Sequence, residues 1–237
     1  MTVTPDAVAV VLAAGMGTRV GANSNKAYLP LAGRPMAAWS LDTLAHVSGI
    51  ARIVLVFRRG EHELAHDMVR RELPGADVEL VEGGDSRHGS ERNVLRHLSA
   101  DIESGEIDVV LIHDAARPLA GPELFASALT VARESGGAIP ALPLFHVLTA
   151  GAEPLTDKLV RVQTPQAFRA RPLLDAYRAA DREGFEGTDT SSCVERFGDV
   201  AVRTVPGEPD NIKVTYARDI AIAEHLLRHR ISARDSR

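Results

Sequence analysis

The sequence is poor in residues on which several protein classes depend. It has one cysteine, Cys193, in 237 residues, so neither an internal disulfide nor a cysteine zinc cluster can form. Aromatic residues make up 4% of the chain, which argues against a surface that stacks nucleic-acid bases. No apolar run reaches the roughly 18 residues of a membrane-spanning helix. We therefore expect no nucleic-acid partner and no membrane segment.

Lysine is scarce as well. Lysine and arginine together number 27, of which only three are lysines. Because arginine serves as the general cation here, a lysine indicates a place where a compact, mobile ammonium is preferred to a planar guanidinium. Lys26 follows a glycine-rich turn, and Lys213 lies in the segment NIKVT. Both contexts suggest phosphate binding, the alternative being a chance distribution of three lysines.

Length, composition and charge also limit the number of domains and the kinds of partner that we expect. The length of 237 residues and the 45% hydrophobic content fit a single domain spanning residues 1–237. A net charge of −5 argues against binding a polyanion over a wide face. Residues 1–6 lack the pattern of a secretory signal, so we expect a cytoplasmic protein. Residues 229–237 are charged and are expected to form a disordered tail.

Short apolar runs alternate with helical patterns along the chain. Most of the runs are continuously apolar, which is typical of strands covered on both faces. The predicted strands are 7–13, 53–57, 78–81, 109–112, 138–142 and 201–205. The predicted helices are 35–46, 61–72, 90–98, 122–133, 172–181, 191–197 and 216–227. This alternation predicts an α/β fold, with a Rossmann-like, mostly parallel sheet and helices on both faces.

Residues 145–163 interrupt the alternation. Their β-prone ends surround Gly151, Pro154 and Asp157, which predicts a projecting β-arm. A projecting hairpin usually packs against another surface, most simply a second copy of the chain, so we expect a homodimer formed through this arm.

The first strand ends in the turn AAGMGTR, residues 13–19. Its glycines let backbone N–H groups approach phosphate oxygens, and Arg19 can add a guanidinium fork. The dinucleotide fingerprint is excluded because Val20 stands where the third glycine belongs. A Walker A loop is excluded because no Gly-Lys-Ser/Thr follows. An ordinary glycine-rich turn remains the alternative.

Two further segments have the residue types of a ligand site. Asp114 follows the fourth apolar run, where open α/β sheets bind ligands, and one carboxylate with phosphate oxygens is the usual way to hold Mg²⁺. Its alternative role is to cap the next turn, and we expect a structural role for His113. The loop GGDSRHGS at 83–90 suits a nucleobase or a phosphate, or is an ordinary strand-to-helix turn with a serine cap.

Taken together, these segments resemble the 2-C-methyl-D-erythritol 4-phosphate cytidylyltransferase family, in the sugar-nucleotidyltransferase superfamily. The matching motifs stand in the family's order over residues 7–228: the turn at 13–19, Lys26, 83–90, HDAARP at 113–118, QTPQAF at 163–168, Thr188-Asp189 and NIKVT at 211–215. The resemblance implies a homodimeric enzyme that transfers CMP from CTP to a phosphorylated polyol, releases pyrophosphate, and serves isoprenoid precursor synthesis by the non-mevalonate pathway.

The resemblance also assigns roles to single residues. For the nucleotide it implies Ala13, Ala14, Gly15, Gly17, Gly83, Asp85, Ser90 and Ala115. For catalysis it implies Arg19, Lys26 and Lys213, with Asp114 as the Mg²⁺ ligand. For the acceptor it implies Arg117, Thr188, Asp189 and Asp210, although Thr188 or Asp189 can equally cap the following helix.

The arm departs from the family. Residues 143–149 read PLFHVLT, without the Asp, Thr and Lys that the family has there. Residues 155–158 lack the family's phosphate-gripping arginine, and we hypothesise that Lys158 replaces it; a solvated lysine is the alternative. The acceptor therefore has a second candidate, another polyol or sugar phosphate such as ribitol 5-phosphate. A nucleotide-binding protein without turnover is the third, and a nicotinamide oxidoreductase fits least.

Overall fold

The computed structural model describes residues 6–17, 25–145 and 159–235. The strands are β1 (Asp6–Leu12), β2 (Pro30–Leu31), β3 (Arg34–Pro35), β4 (Ile50–Phe57), β5 (Val78–Glu82), β6 (Ile107–Asp114), β7 (Gly136–Pro143), β8 (Val160–Val162), β9 (Gln166–Arg169) and β10 (Ala201–Pro206). The helices are α1 (Met36–Leu44), α2 (His62–Glu72), α3 (Arg87–His97), α4 (Ser99–Ser104), α5 (Pro122–Ser135), α6 (Ala170–Glu183), α7 (Thr190–Phe197) and α8 (Ala217–Asp235), with one 3-10 turn at Lys26–Tyr28. Each predicted strand and helix overlaps one of these elements.

The sheet is mixed but mostly parallel, which confirms the predicted fold class. Within the described residues, eight strands form one sheet in the order β10-β7-β9-β6-β1-β4-β5, with β8 beside β7. Strand β9 is antiparallel to both β6 and β7. Sequence analysis missed β9, because a four-residue strand is too short to show a periodic pattern.

Apolar residues cover both faces of the sheet. In β1, Ala7, Ala9 and Val11 belong to one core cluster and Val8 and Val10 to another. Helices α1, α2 and α5 pack on the first face, and α3, α4, α6 and α7 on the second. A smaller cluster joins α8 to Val214 through Ala223 and Leu227, so α8 supports the segment 211–215. No described helix is both long and apolar enough to cross a membrane.

The base of the predicted arm is an antiparallel pair. Strands β7 and β8 pair from Ala141 opposite Val162 to Pro143 opposite Val160, and the N–H of Leu144 donates to the carbonyl of Leu159 at 2.9 Å. Residues 146–158, including Lys158, lie outside the described part of the chain.

The C-terminal tail requires a correction. Helix α8 continues to Asp235, whereas we expected disorder from residue 229. The reason is tertiary contact: Leu227 is buried, and Arg230 Nη1 donates to the carbonyl of Leu119 at 2.6 Å.

His113 is fully buried at the end of β6. Its Nε2 lies 3.2 Å from the carbonyl oxygen of Arg117 and therefore donates the hydrogen bond. Its Nδ1 accepts from the hydroxyl of Thr164 at 3.1 Å, and the same hydroxyl accepts a hydrogen bond from the Asp114 N–H at 3.0 Å. The ring meets Phe125 edge-on. These contacts fit a neutral imidazole that fastens the end of the strand.

Burial lowers the pKa of His113 to about 4, which predicts a pH-dependent stability. Below about pH 6.5 the His113 imidazole is protonated in the unfolded chain, whereas in the folded chain it stays neutral down to about pH 4. The free energy of unfolding should therefore fall across this window by up to about 3 kcal/mol on account of His113. Urea unfolding from about pH 7 to about pH 4.5 measures this loss.

The variant His113→Gln should be less stable at neutral pH but should lose less stability on acidification. His62→Gln, at an exposed position, controls for the removal of a histidine as such. Equal pH dependence in wild type and His113→Gln would contradict the assignment.

Candidate active site

A cavity of about 390 Å³ opens at the carboxyl ends of β1 and β6. It brings together most of the residues that sequence analysis assigned to the nucleotide and to catalysis. Of these residues, Ala13, Ala14, Gly15, Gly17, Lys26, Asp85, Ser90, Asp114, Ala115 and Lys213 line it. Arg19 lies outside the described residues.

Two residues shape the glycine-rich turn. Gly17 has a φ of +63°, and a Cβ there would lie 2.8 Å from Cβ of Lys26, so only glycine allows Lys26 to lie against the turn. Asn25 is buried, and its Nδ2 donates to the carbonyl of Ala13 at 2.6 Å and to Glu61 Oε2 at 2.8 Å. Asn25 was missed by sequence analysis, because its partners lie in other segments.

The loop at 83–90 packs directly against this turn. A Cβ on Gly83 would come within 2.5 Å of Cβ of Ala14, which explains why glycine stands there although it does not line the cavity. The Ser90 hydroxyl accepts from the N–H of Gly84 at 3.1 Å and donates to the carbonyl of Ser86 at 2.9 Å. Ser86, not Ser90, caps α3. The Asp85 carboxylate is 96% exposed, and its Oδ1 lies 3.8 Å from Arg59 Nη1.

Asp114 is the buried charge of the cavity. Its Oδ2 lies 2.6 Å from Lys213 Nζ, and its Oδ1 lies 3.5 Å from Arg87 Nη2. Burial alone would raise the pKa of the Asp114 carboxyl, but the positive charges of Lys213, Arg87 and Arg117 outweigh burial and hold the pKa well below its usual range. Asp114 is therefore ionised throughout the physiological pH range.

The donor set around Asp114 suits a hard cation that brings its own ligands. No cluster of three His, Cys, Asp or Glu side chains suitable for a metal occurs among residues 6–17, 25–145 and 159–235. One ionised carboxylate beside a glycine-rich turn fits Mg²⁺, which usually takes one or two carboxylates and completes its shell with phosphates and water. A metal that needs an all-protein cage does not fit.

The segment 211–215 is fastened to the end of β6 by its backbone and by one buried side chain. Asn211 Nδ2 donates to the carbonyl of Thr164 at 2.9 Å, and the N–H of Val214 donates to the carbonyl of Ala116 at 2.8 Å. Lys26 Nζ donates to the carbonyl of Val214 at 3.0 Å. The two lysines singled out in the sequence thus meet at this segment.

The residues assigned to the acceptor do not line this cavity. Arg117 Nη1 donates to the carbonyl of Asn211 at 2.7 Å. Asp189 caps α7, with its Oδ1 accepting from the N–H of Ser192 at 3.0 Å. Asp210 lies 3.5 Å from Arg230, and Thr188 is exposed. Lys158 is outside the described part of the chain.

Comparisons with known proteins agree with the geometry. A family model for 2-C-methyl-D-erythritol 4-phosphate cytidylyltransferase matches residues 7–229. The protein of that name from Cereibacter sphaeroides is 42% identical over 92% of this chain and 96% of its own length. The one from Solibacter usitatus is 38% identical over 93% of this chain and 96% of its own.

Two solved structures are also similar to this chain. The 4-diphosphocytidyl-2C-methyl-D-erythritol synthase of Anaerococcus prevotii has a TM-score of 0.80 at 28% identity, covering 94% of this chain and 96% of the other. The cytidylyltransferase of Thermus thermophilus has a TM-score of 0.72 at 28% identity, over 93% and 98% of the two chains. With these matches over nearly its whole length, the chain belongs to the 2-C-methyl-D-erythritol 4-phosphate cytidylyltransferase family.

Proposed function

We propose that this protein transfers CMP from CTP to 2-C-methyl-D-erythritol 4-phosphate and releases pyrophosphate, as a step of isoprenoid precursor synthesis. The observation that carries the proposal is the single cavity in which the turn at 13–17, Lys26, Asp114 and Lys213 meet. Family membership supplies the nucleotide and the acceptor, because relatives 36–42% identical carry that enzyme's name.

The chemistry follows from charge. The acceptor's phosphate monoester is already ionised at neutral pH, so its oxygen can attack the α-phosphorus of CTP in line, without a general base. The bond to the pyrophosphate oxygen breaks, and pyrophosphate leaves with the electron pair. Two polyanions must approach each other, so orientation and cationic stabilisation supply most of the rate enhancement. Lys26 and Lys213 are the described lysines placed to provide it, and Arg19 is the expected third cation.

We assign Asp114 as the protein ligand of Mg²⁺. When bound, Mg²⁺ would draw negative charge from the phosphate oxygens and help to orient them. Lys213, 2.6 Å from Asp114, would place its positive charge beside the phosphates.

The proposal includes a homodimer. The base of the arm exposes four apolar side chains, Leu144, Phe145, Val160 and Val162, of which Phe145 is 74% exposed. Apolar side chains exposed together on the antiparallel pair of β7 and β8 and beside it favour an interface with a second copy. We place the protein in the cytoplasm, where its phosphorylated substrates would be found.

Two alternative functions have less support. Ribitol 5-phosphate as acceptor is supported only by the altered arm, and the named relatives do not favour it. A nucleotide-binding protein without turnover is opposed by the joint presence of Lys26, Asp114 and Lys213 in one cavity.

Pyrophosphate release is the direct test of the proposed reaction. We expect turnover with CTP, Mg²⁺ and methylerythritol 4-phosphate, and no turnover when EDTA removes the metal. Lys26→Met and Lys213→Met should each lower kcat about 100- to 1000-fold, the usual loss on removing a preorganised stabiliser of developing charge.

Arg71→Met, an exposed cation on α2, is the matched control and should keep full activity. Turnover only with ribitol 5-phosphate or another sugar phosphate would replace the acceptor and leave the CTP chemistry standing. CTP binding with no pyrophosphate release from any acceptor would favour the non-catalytic alternative.

The hypothesis for Lys158 makes a separate prediction. If Lys158 contacts the acceptor's phosphate, Lys158→Ala should raise the KM for the acceptor about tenfold or more and leave the KM for CTP unchanged, because one charged hydrogen bond contributes about 1.5–3 kcal/mol. Lys158→Arg keeps the charge and should recover part of the loss. An unchanged acceptor KM in Lys158→Ala would leave Lys158 as a solvated lysine.

A further inference from the structure

Glu91 is a second buried carboxylate close to the cavity. Among the described residues, Glu91 and Asp114 are the two carboxylate side chains that are buried, Glu91 at 1% exposure and Asp114 at 8%. Sequence analysis gave Glu91 no role, because an acidic residue on a polar helix ordinarily faces solvent. A buried carboxylate is costly unless it is paired and hydrogen-bonded, so its partners are informative.

Three donors from three elements satisfy Glu91. Its Oε1 accepts from Arg87 Nη1 and from the hydroxyl of Thr190, each at 2.5 Å. Its Oε2 accepts from the hydroxyl of Tyr177, which is also buried. Arg87 belongs to α3, Tyr177 to α6 and Thr190 to α7. The carboxylate is therefore held rigidly, and it holds Arg87 in turn.

Arg87 extends from this anchor into the cavity wall. Its side chain is 27% exposed and lines the same cavity as Lys26 and Asp114. While Nη1 is committed to Glu91, Nη2 makes no hydrogen bond within the described residues, and its nearest acidic partner, Asp114 Oδ1, is 3.5 Å away. The guanidinium thus keeps one donor-bearing nitrogen available to a ligand.

We propose that Arg87 is a further ligand of the CTP phosphates, and that Glu91 is the positioning residue that holds its guanidinium in the cavity wall. The inference rests on the proposed function, because it takes CTP as the ligand. Nη2 carries two N–H groups, and hydrogen bonds from a guanidinium to phosphate oxygens are charge-assisted. Because the Arg87 guanidinium is held in place before the ligand binds, binding does not incur the entropic cost of ordering a long side chain.

The same network links the two sides of the site. Thr190 begins α7, directly after the Thr188-Asp189 pair that the resemblance assigns to the acceptor. Through Thr190 and Glu91, the start of α7 is tied to the residue that meets the nucleotide. Arg87 accordingly lies at the junction of the CTP and acceptor segments.

Calorimetric titration of CTP in the presence of Mg²⁺ and without acceptor tests the proposal. Arg87→Met should weaken CTP binding about tenfold or more, and Arg87→Lys by less, because it keeps a cation. The matched control is Arg96→Met on the same helix, whose guanidinium bonds Asp181 away from the cavity; its CTP affinity should equal that of wild type. Thermal midpoints of all variants separate a loss of binding from a loss of folding.

The role of Glu91 is tested by a double-mutant cycle with Glu91→Gln, which keeps an oxygen for Arg87 but removes the charge. Glu91→Gln alone should weaken CTP binding a few-fold. In the Arg87→Met background it should add nothing, because Glu91 acts through Arg87. A purely structural role would instead lower the thermal midpoint and leave the affinity of the folded protein unchanged.

The outcomes separate the two claims. If Arg87→Met binds CTP within twofold of wild type, the phosphate contact is wrong, whatever the turnover assay shows. If the effects of Arg87→Met and Glu91→Gln on CTP affinity add, the positioning role is wrong. Wild-type protein that does not bind CTP would overturn both this inference and the proposed function. Normal wild-type turnover with unaffected variants would overturn the inference alone.

Discussion

The ion pair between Asp114 and Lys213 is the interaction on which the site depends. It joins the carboxyl end of β6, in the middle of the sheet, to the segment 211–215, about a hundred residues further along the chain. A carboxylate buried at the end of a central strand needs cations around it, since breaking a buried pair leaves an uncompensated charge. Lys213 and Arg87 provide them from two sides. Lys213 and Arg87 also make the pocket positively charged, so that it attracts polyanions.

The pair can hold its geometry because its surroundings are fixed. The Asp114 backbone is tied to Thr164, and the carbonyl of Thr164 is tied to Asn211. The small core under α8 keeps Val214 in place. Lys26 Nζ donates to the carbonyl of Val214. A phosphate chain that enters the cavity therefore meets groups that need little rearrangement, which is the condition for electrostatic catalysis.

Much of the fold and part of the site could be predicted from the sequence. The continuous apolar runs of β1 and β6 predicted strands buried on both faces, and their carboxyl ends do frame the cavity. Because lysine is scarce in the chain, Lys26 and Lys213 could be predicted as phosphate-binding residues. Interactions between distant segments could not be predicted: Glu91 meets Tyr177 and Thr190, which lie 86 and 99 residues away. The buried side chain of Asn25 was missed for the same reason.

The proposed mechanism requires Asp114 to hold a divalent cation together with the CTP phosphates. The most direct measurement is the affinity for CTP with and without Mg²⁺, in wild type and in Asp114→Asn. Mg²⁺ should strengthen CTP binding by wild type, and Asp114→Asn should lose most of this gain while remaining folded. An equal gain from Mg²⁺ in both proteins would contradict the proposed mechanism, because the cation would then be held without Asp114.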